Sequence, residues 1–383
     1  MTKNILILTS KTGGGHISIA EALRDRLFEQ KGKDIQIDIL DPQSSFFHWH
    51  YRTVSRYALW LWAAEFRLSD TPARARWMHR LFTLSVARTL RAVIQRRRPD
   101  LIISTYPFLT YEVTRILRRM PDTASIPFAM IFTDPNGVHA SWLTEKHATL
   151  TLAPTRETYT QALAHGFARE RLRQVGWPVR TQFAHLAHRN PEHSASLLQT
   201  LQLEPGYFTV FLQGGGEGAT RIGATLQSLL QCMPELQIIL ATGTNQALQQ
   251  RFQHIPRVYP LPFTREIAPY MAAADVIMGK AGPNMLFEAV TLGKPFIATA
   301  YIPGQEEVNL EFIRRHGLGW VALTIEEQQQ LLRTLITRGA KLHAMDASVA
   351  AYQQWNQEQS VGSISALLEL LQPLSAQMRK QRN

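Results

Sequence analysis

The sequence predicts an α/β fold of two doubly wound domains with a cleft between them. Apolar strand-like runs alternate with helical patterns along the chain, the signature of parallel βαβ units. The alternation pauses at "QVGWPVRTQF", where Gly176 and Pro178 read as a linker, and then starts again. Glycine clusters follow the apolar runs directly, where such sheets bind ligands. A chain of 383 residues has room for both domains. The expected division is residues 1–180, residues 181–360, and a final helix with the basic tail "MRKQRN" over 361–383.

In the first domain "NILILTS" is a strand, residues from about His16 to Lys31 a helix, and "IQIDILD" a second strand. Two helices are expected over about 45–68 and 73–97, the second stopped by Pro99. "DLIIST", "FAMIFTD" and "ATLTLAPT" are buried-type strands. The second domain offers "YFTVFLQ", "LQIILATG", "VYPLPF", "DVIMG" and "PFIATA", each followed by a helical stretch.

Charge is unevenly placed. Residues 1–180 hold 26 Lys and Arg against 15 Asp and Glu, so they carry the whole net charge of +11. Residues 52–98 contain eleven arginines, no lysine, and only Glu65 and Asp70 as acids. Trp49, Trp60, Trp62 and Trp77 lie in or beside that stretch. Arginine interleaved with tryptophan suits an anionic, partly apolar surface such as a membrane interface. Arg52, Arg56, Trp60, Trp62, Arg74, Arg76 and Trp77 are the expected contacts. A solvated helical face is the plainer reading, and nucleic acid is the less favoured partner. The opening apolar run is shorter than a signal-peptide core, and no run is long enough to span a bilayer. The expected location is cytoplasmic, peripheral on the inner face of the cell membrane. The single cysteine, Cys232, excludes a disulfide framework or a cysteine metal cluster. Neither metal nor cofactor is expected, and the lack of an Asp-x-Asp motif at any strand end is consistent with that.

Four constellations carry chemistry. The first is Gly13, Gly14, Gly15 and His16 between a strand and a helix. The glycines allow close backbone approach, and a histidine near helix-end N–H groups tends to stay neutral. Neutral imidazole accepts a proton from a hydroxyl, although the residue equally suits orienting the loop. The second is Asp134 in "FTDPNGVHASW", placed to orient His16, to bind an acceptor hydroxyl, or to open a turn before Pro135. The third is "GGGEG", with Gly215 and Gly216 after a strand, suited to a second phosphate or to the cleft-facing backbone of the second domain. The fourth is "GKAGPNMLFEA" with "PGQEEVN". Gly282, Pro283 and Asn284 begin a helix whose N–H groups suit a diphosphate. Glu288 suits ribose hydroxyls. Gln305 and Glu306 suit the hydroxyls of a sugar.

Taken together, the Gly-Gly-Gly-His loop, "FTDPNGVHASW", "GWPV", "GGGEG", "GKAGPNMLFEA" and "PGQEEVN" resemble the glycosyl-diacylglycerol synthases. These are the monogalactosyldiacylglycerol synthases and the processive diacylglycerol glucosyltransferases. The resemblance covers about residues 1–360 and implies a GT-B fold of two Rossmann-like domains. It implies an inverting transfer from a UDP-sugar to a membrane lipid, most simply diacylglycerol, with no metal required. It implies that the final helix returns to the first domain, that Gly282, Pro283 and Asn284 lie along the diphosphate, and that Glu288 holds the ribose. Gln305 and Glu306 then read the donor sugar, Phe263 offers its backbone to uracil, and His16 is the base, with Asp134 its rival. The alternatives are a lipid-linked N-acetylglucosaminyltransferase, a UDP-sugar epimerase on the same frame, and a non-catalytic membrane-surface protein.

Overall fold

The computed structural model describes residues 2–11, 14–187, 191–213, 219–233, 235–337 and 339–372. These residues fall into two compact units. One comprises residues 1–180 with 355–383, the other residues 181–354. Gly13, Gly215, Gly216 and the tail "MRKQRN" lie outside the described residues.

Each unit is built on a six-stranded, all-parallel sheet. The first contains β1 (Lys3–Leu8), β2 (Ile35–Leu40), β3 (Leu101–Ser104), β4 (Phe128–Ile131), β5 (Leu150–Ala153) and β6 (Leu172–Gln174). Its order is β2-β1-β3-β4-β5-β6. The second contains β7 (Thr209–Gln213), β8 (Gln237–Gly243), β9 (Val258–Pro262), β10 (Val276–Lys280), β11 (Phe296–Ala300) and β12 (Gly319–Val321). Its order is β12-β11-β10-β7-β8-β9. Strands β3, β4 and β5 are buried at every residue, as sheets covered on both faces require. In the first sheet the connections part between β1 and β3; in the second they part between β7 and β10. Such a switch point opens a crevice at the carboxyl ends of the two strands.

Helix α1 (Gly15–Lys31) follows β1. Between β2 and β3 come α2 (Ser45–Tyr57), α3 (Leu59–Ser69) and α4 (Pro72–Arg97). The helix expected over 45–68 is thus two helices, broken at Ala58, whose φ of −140° and ψ of 56° leave the helical region. Helix α4 starts at a Thr71 cap with Pro72 in its first turn and ends where Arg98 turns left-handed, at φ 40°. Phe82, Val86, Leu90 and Ile94 recur every four residues and bury one face of α4 in the core. Helices α5 (Pro107–Arg119) and α6 (Ala140–Leu143) follow β3 and β4. The short edge strands β6 and β12 add to the ten strands read from the sequence.

The last helix begins at Gly339 and runs to Glu369, so it starts well before residue 361. Its earlier part packs in the second unit, with Tyr352 against Phe287 and Phe312. From Trp355 it belongs to the first. There it meets the expected linker, which is not an exposed tether. Trp177 is fully buried, and Asn356 clamps it from both sides: the Trp177 N–H donates to Asn356 Oδ1 at 2.6 Å, and Asn356 Nδ2 donates to the Trp177 carbonyl at 3.2 Å. A Cβ on Gly176 would strike the Asn356 carbonyl and the Ser360 backbone and hydroxyl. Glycine stands here because another helix presses on its backbone. Gly176→Ala is therefore expected to cost about 1–3 kcal/mol through overpacking. Asn356→Ala is expected to cost about 1–3 kcal/mol by leaving buried backbone groups unpaired. Urea unfolding of both variants checks this; unchanged midpoints would refute the contact.

Candidate active site

Three strand ends of the first sheet converge on one imidazole. After β1, Gly14 adopts a left-handed φ of 75° and caps α1, so His16 falls in the first turn of that helix. The loop is tied down beside it, because Lys11 N–H donates to Asp41 at 2.7 Å and Thr9 N–H to the Leu40 carbonyl at 3.0 Å. His16 Nδ1 lies 2.8 Å from the carbonyl of Thr105, just past β3, and 3.2 Å from the hydroxyl of Thr133, past β4. Thr105 Oγ1 in turn donates to the His16 carbonyl at 3.1 Å. A carbonyl only accepts, so Nδ1 carries the proton and the Nε2 lone pair is left as the basic position. Tyr106 stands edge-on to the ring at 5.0 Å. Burial pushes the His16 pKa down to about 4, outweighing the Thr105 carbonyl and the Asp41 charge, which favour the cation. The imidazole is therefore neutral at pH 7. Burial, aided by the Asp41 charge, also holds the Tyr106 hydroxyl well above the ordinary phenol range.

Asp134 follows Thr133 directly but does not orient His16, because Thr105 and Thr133 already hold Nδ1. Its own partner is Trp142, in α6. Burial pushes the Asp134 carboxyl up to about 7, helped by the charge of Asp70 and opposed by the Trp142 N–H. Asp70 sits at the corner between α3 and α4 and accepts the Ala140 N–H at 2.8 Å. His139 Nδ1 accepts the Ser141 N–H at 3.1 Å, so its Nε2–H points back at that corner, to Ser69 Oγ at 3.2 Å and the Phe66 carbonyl at 3.3 Å. Asp70, Thr105, Tyr106 and Thr133 are site residues that the sequence motifs do not single out. Their one visible signal is position, since Thr105 and Thr133 each follow a buried strand, as Asp134 does.

In the second unit β10 ends at Lys280, and Gly282 opens the helix Pro283–Thr291. Gly279 is pressed so closely on the Gln213 carbonyl and on Met285 that a Cβ would collide with both. Glu288 is 8% exposed, on the buried side of this helix. Gly304, with φ 83°, turns the chain past β11. The next residue, Gln305, buries its Oε1 with no partner among the described residues. Glu306, expected to read the donor sugar with Gln305, has both carboxylate oxygens engaged within the unit. One of its oxygens pairs with Lys280 Nζ and the other accepts the Ile302 N–H at 2.8 Å. Phe263 exposes its ring and donates its N–H to the Gly243 carbonyl at 3.0 Å, so only its carbonyl is left for a ligand.

Of the expected membrane contacts, Trp60 and Trp77 are 74% and 60% exposed, and Arg74 and Arg76 are exposed with them. The side chains of Arg52 and Arg56 lie outside the described part. Trp62 is not in this surface set: it is half-buried and stands edge-on to Tyr51 at 5.1 Å. Trp77, Leu81 and Leu84, spaced by four and three, form a second apolar stripe on α4 that faces solvent, Leu84 being 80% exposed. No described helix is long and apolar enough to cross a membrane.

Residues 16–179 match the family described as monogalactosyldiacylglycerol (MGDG) synthase, and residues 209–362 match the glycosyltransferase family 28 C-terminal domain. A protein of Oryza sativa subsp. indica, "Probable monogalactosyldiacylglycerol synthase 2, chloroplastic", is 31% identical over 83% of this chain and 70% of its own. The chain belongs to the monogalactosyldiacylglycerol synthase family. Another relative, "Monogalactosyldiacylglycerol synthase 3, chloroplastic" of Arabidopsis thaliana, is 28% identical over 83% of this chain and 70% of its own. Among solved structures, rice Os79 in complex with UDP superposes with a TM-score of 0.64 at 12% identity, covering 96% of this chain and 100% of that one. The fold is GT-B, and as a member of this family the protein is a glycosyltransferase of glycolipid biosynthesis. The expected cytoplasmic location on the inner face of the cell membrane is overturned, because the family's rice and Arabidopsis members are named as chloroplastic.

The two candidate bases titrate far apart, which makes them separable. A base works only unprotonated, so kcat/KM falls as pH drops through its pKa. With His16 as the base, activity is expected to hold from pH 8 to about 5.5 and to fall only toward 4. An acid limb near 7 would instead assign the proton to Asp134.

Proposed function

We propose that the protein transfers a hexose from a UDP-sugar to the free hydroxyl of diacylglycerol, with inversion at the anomeric carbon. The observation that carries the reading is the His16 ring, held neutral with Nδ1–H on the Thr105 carbonyl and Nε2 left as the basic atom. Nε2 takes the proton of the acceptor hydroxyl. The freed oxygen attacks the anomeric carbon opposite the diphosphate, the sugar–phosphate bond breaks, and its electron pair leaves with UDP. One displacement inverts the centre.

The donor side of the reading rests on the second unit. The Pro283–Thr291 helix follows the strand at the switch point, and the N–H groups of its first turn suit a diphosphate beside Gly282, Pro283 and Asn284. Glu288 is assigned to the ribose, the Phe263 carbonyl to the uracil N–H, and the unpartnered Gln305 Oε1 to a sugar hydroxyl. Gly215 and Gly216 are assigned to the same nucleotide. The relatives' names make galactose the first sugar to test. A lipid acceptor lies in a bilayer, which fits the outward stripe of α4 together with Trp60, Arg74 and Arg76.

The test supplies UDP-galactose, UDP-glucose or UDP-N-acetylglucosamine with vesicles containing diacylglycerol. The new glycolipid is identified by mass spectrometry and its anomeric proton by NMR. A β-linked galactolipid is expected; an α-linkage would refute inversion. His16→Ala is expected to lower turnover about 100-fold or more with UDP affinity nearly unchanged. Combined Trp60→Ser, Trp77→Ser and Leu84→Ser substitutions are expected to abolish flotation with anionic vesicles while UDP still binds. Undiminished flotation would remove the membrane role from α4.

A further inference from the structure

One charged group in the second unit has no role in the chemistry above. Lys280 is the last residue of β10, and its register against β11 slips there: Gly279 pairs with Ala298, but Lys280 pairs with Ala300. An irregularity of this kind re-aims a side chain at a strand end. The ammonium is carried over the start of the Pro283–Thr291 helix. The position a Gly282 Cβ would take lies 3.7 Å from Lys280 Nζ and 3.6 Å from Glu306 Oε1. Lys280 is 29% exposed and Glu306 is 6% exposed by side chain, so the pair is set into the protein rather than spread on its surface. Glu306 is itself pinned by the Ile302 N–H. An ammonium has three donors. One goes to Glu306, and the described residues supply no partner for the others. Close by in sequence, Gln305 Oε1 is buried and unpaired.

We propose that Lys280 binds the β-phosphate of the nucleotide-sugar and that Glu306 is its positioning residue rather than a reader of the sugar. This rests on the donor-site reading above. When the sugar–oxygen bond breaks, its electron pair raises the negative charge on the β-phosphate, and a cation already fixed there needs no rearrangement to meet it. Glu306 holds the flexible lysine in one place before the donor arrives. Gln305 is left as the side chain that meets the sugar.

Calorimetric titration with UMP and UDP tests this, because only UDP carries the β-phosphate. Lys280→Met is expected to weaken UDP about tenfold or more and UMP by less than about twofold. Lys280→Arg is expected to recover most of the loss, which shows that the site still folds. Glu306→Gln is expected to weaken UDP itself. A Glu306 that reads sugar would leave UDP unchanged and weaken only UDP-galactose. Equal losses for UMP and UDP in Lys280→Met, or no loss in either, would overturn the proposal. Wild-type protein that binds no UDP would instead overturn the donor-site reading, and this inference with it.

Discussion

The hydrogen bond from His16 Nδ1 to the Thr105 carbonyl, 2.8 Å long, ties the first turn of α1 to the end of β3. It joins the two strands that flank the switch point of the first sheet. Much else in that unit follows from it. The bond selects the tautomer, and the tautomer leaves Nε2 as the basic atom. Gly14 must be left-handed for the chain to turn from β1 into a helix whose second residue reaches Thr105. Thr133 adds the end of β4 to the same ring, and Asp134 is thereby delivered one residue further along the same edge. Without that carbonyl the Thr133 hydroxyl, which can both donate and accept, would not by itself fix which ring nitrogen carries the proton.

The second sheet repeats the order of a doubly wound fold and places different chemistry at its switch point. There the groups are a buried amide oxygen, a half-buried ammonium and a buried carboxylate, rather than a single ring. A half-buried Lys–Glu pair is not by itself a stabilising device, since desolvation offsets much of the attraction. Its place beside a helix start, on a strand whose register slips to bring it there, gives the pair a positional rather than an energetic reason.

The sequence made the interior of this fold legible and its margins less so. Continuous apolar runs such as "DLIIST" and "FAMIFTD" are visible because both faces of a central strand are covered. The edge strands β6 and β12 have three residues each, too few to show any period. The break at Ala58 is hidden because apolar residues run through it on both sides. Gly176 and Pro178 have the composition of a tether, and composition does not say that Asn356, 180 positions away, presses on that backbone. His16 and Asp134 announce themselves by following strands. Thr105 and Thr133 follow strands too, but threonine there looks ordinary until the ring it holds is seen. The pairing of Lys280 with Glu306 spans 26 residues and sits at a register slip, and no local pattern encodes either.

Asp134 and the surface helices of the first unit are not independent. Among the described residues, the side-chain charge that adds to burial in raising the Asp134 pKa is that of Asp70, which belongs to the α3–α4 corner. That corner lies between the exposed Leu68 and Trp77 and is pinned to α6 through Ala140 and His139. Helix α6 also carries Trp142, whose N–H opposes the same shift. Moving the corner would therefore alter two opposed influences on one carboxyl: the like charge that favours its neutral form and the donor that favours its anion. His16 carries no such link, because its tautomer is held by backbone and threonine at strand ends. In this unit burial sets the direction for both groups; the His16 tautomer is held at strand ends, while Asp134 also carries the opposed influences of Asp70 and Trp142 from the helices.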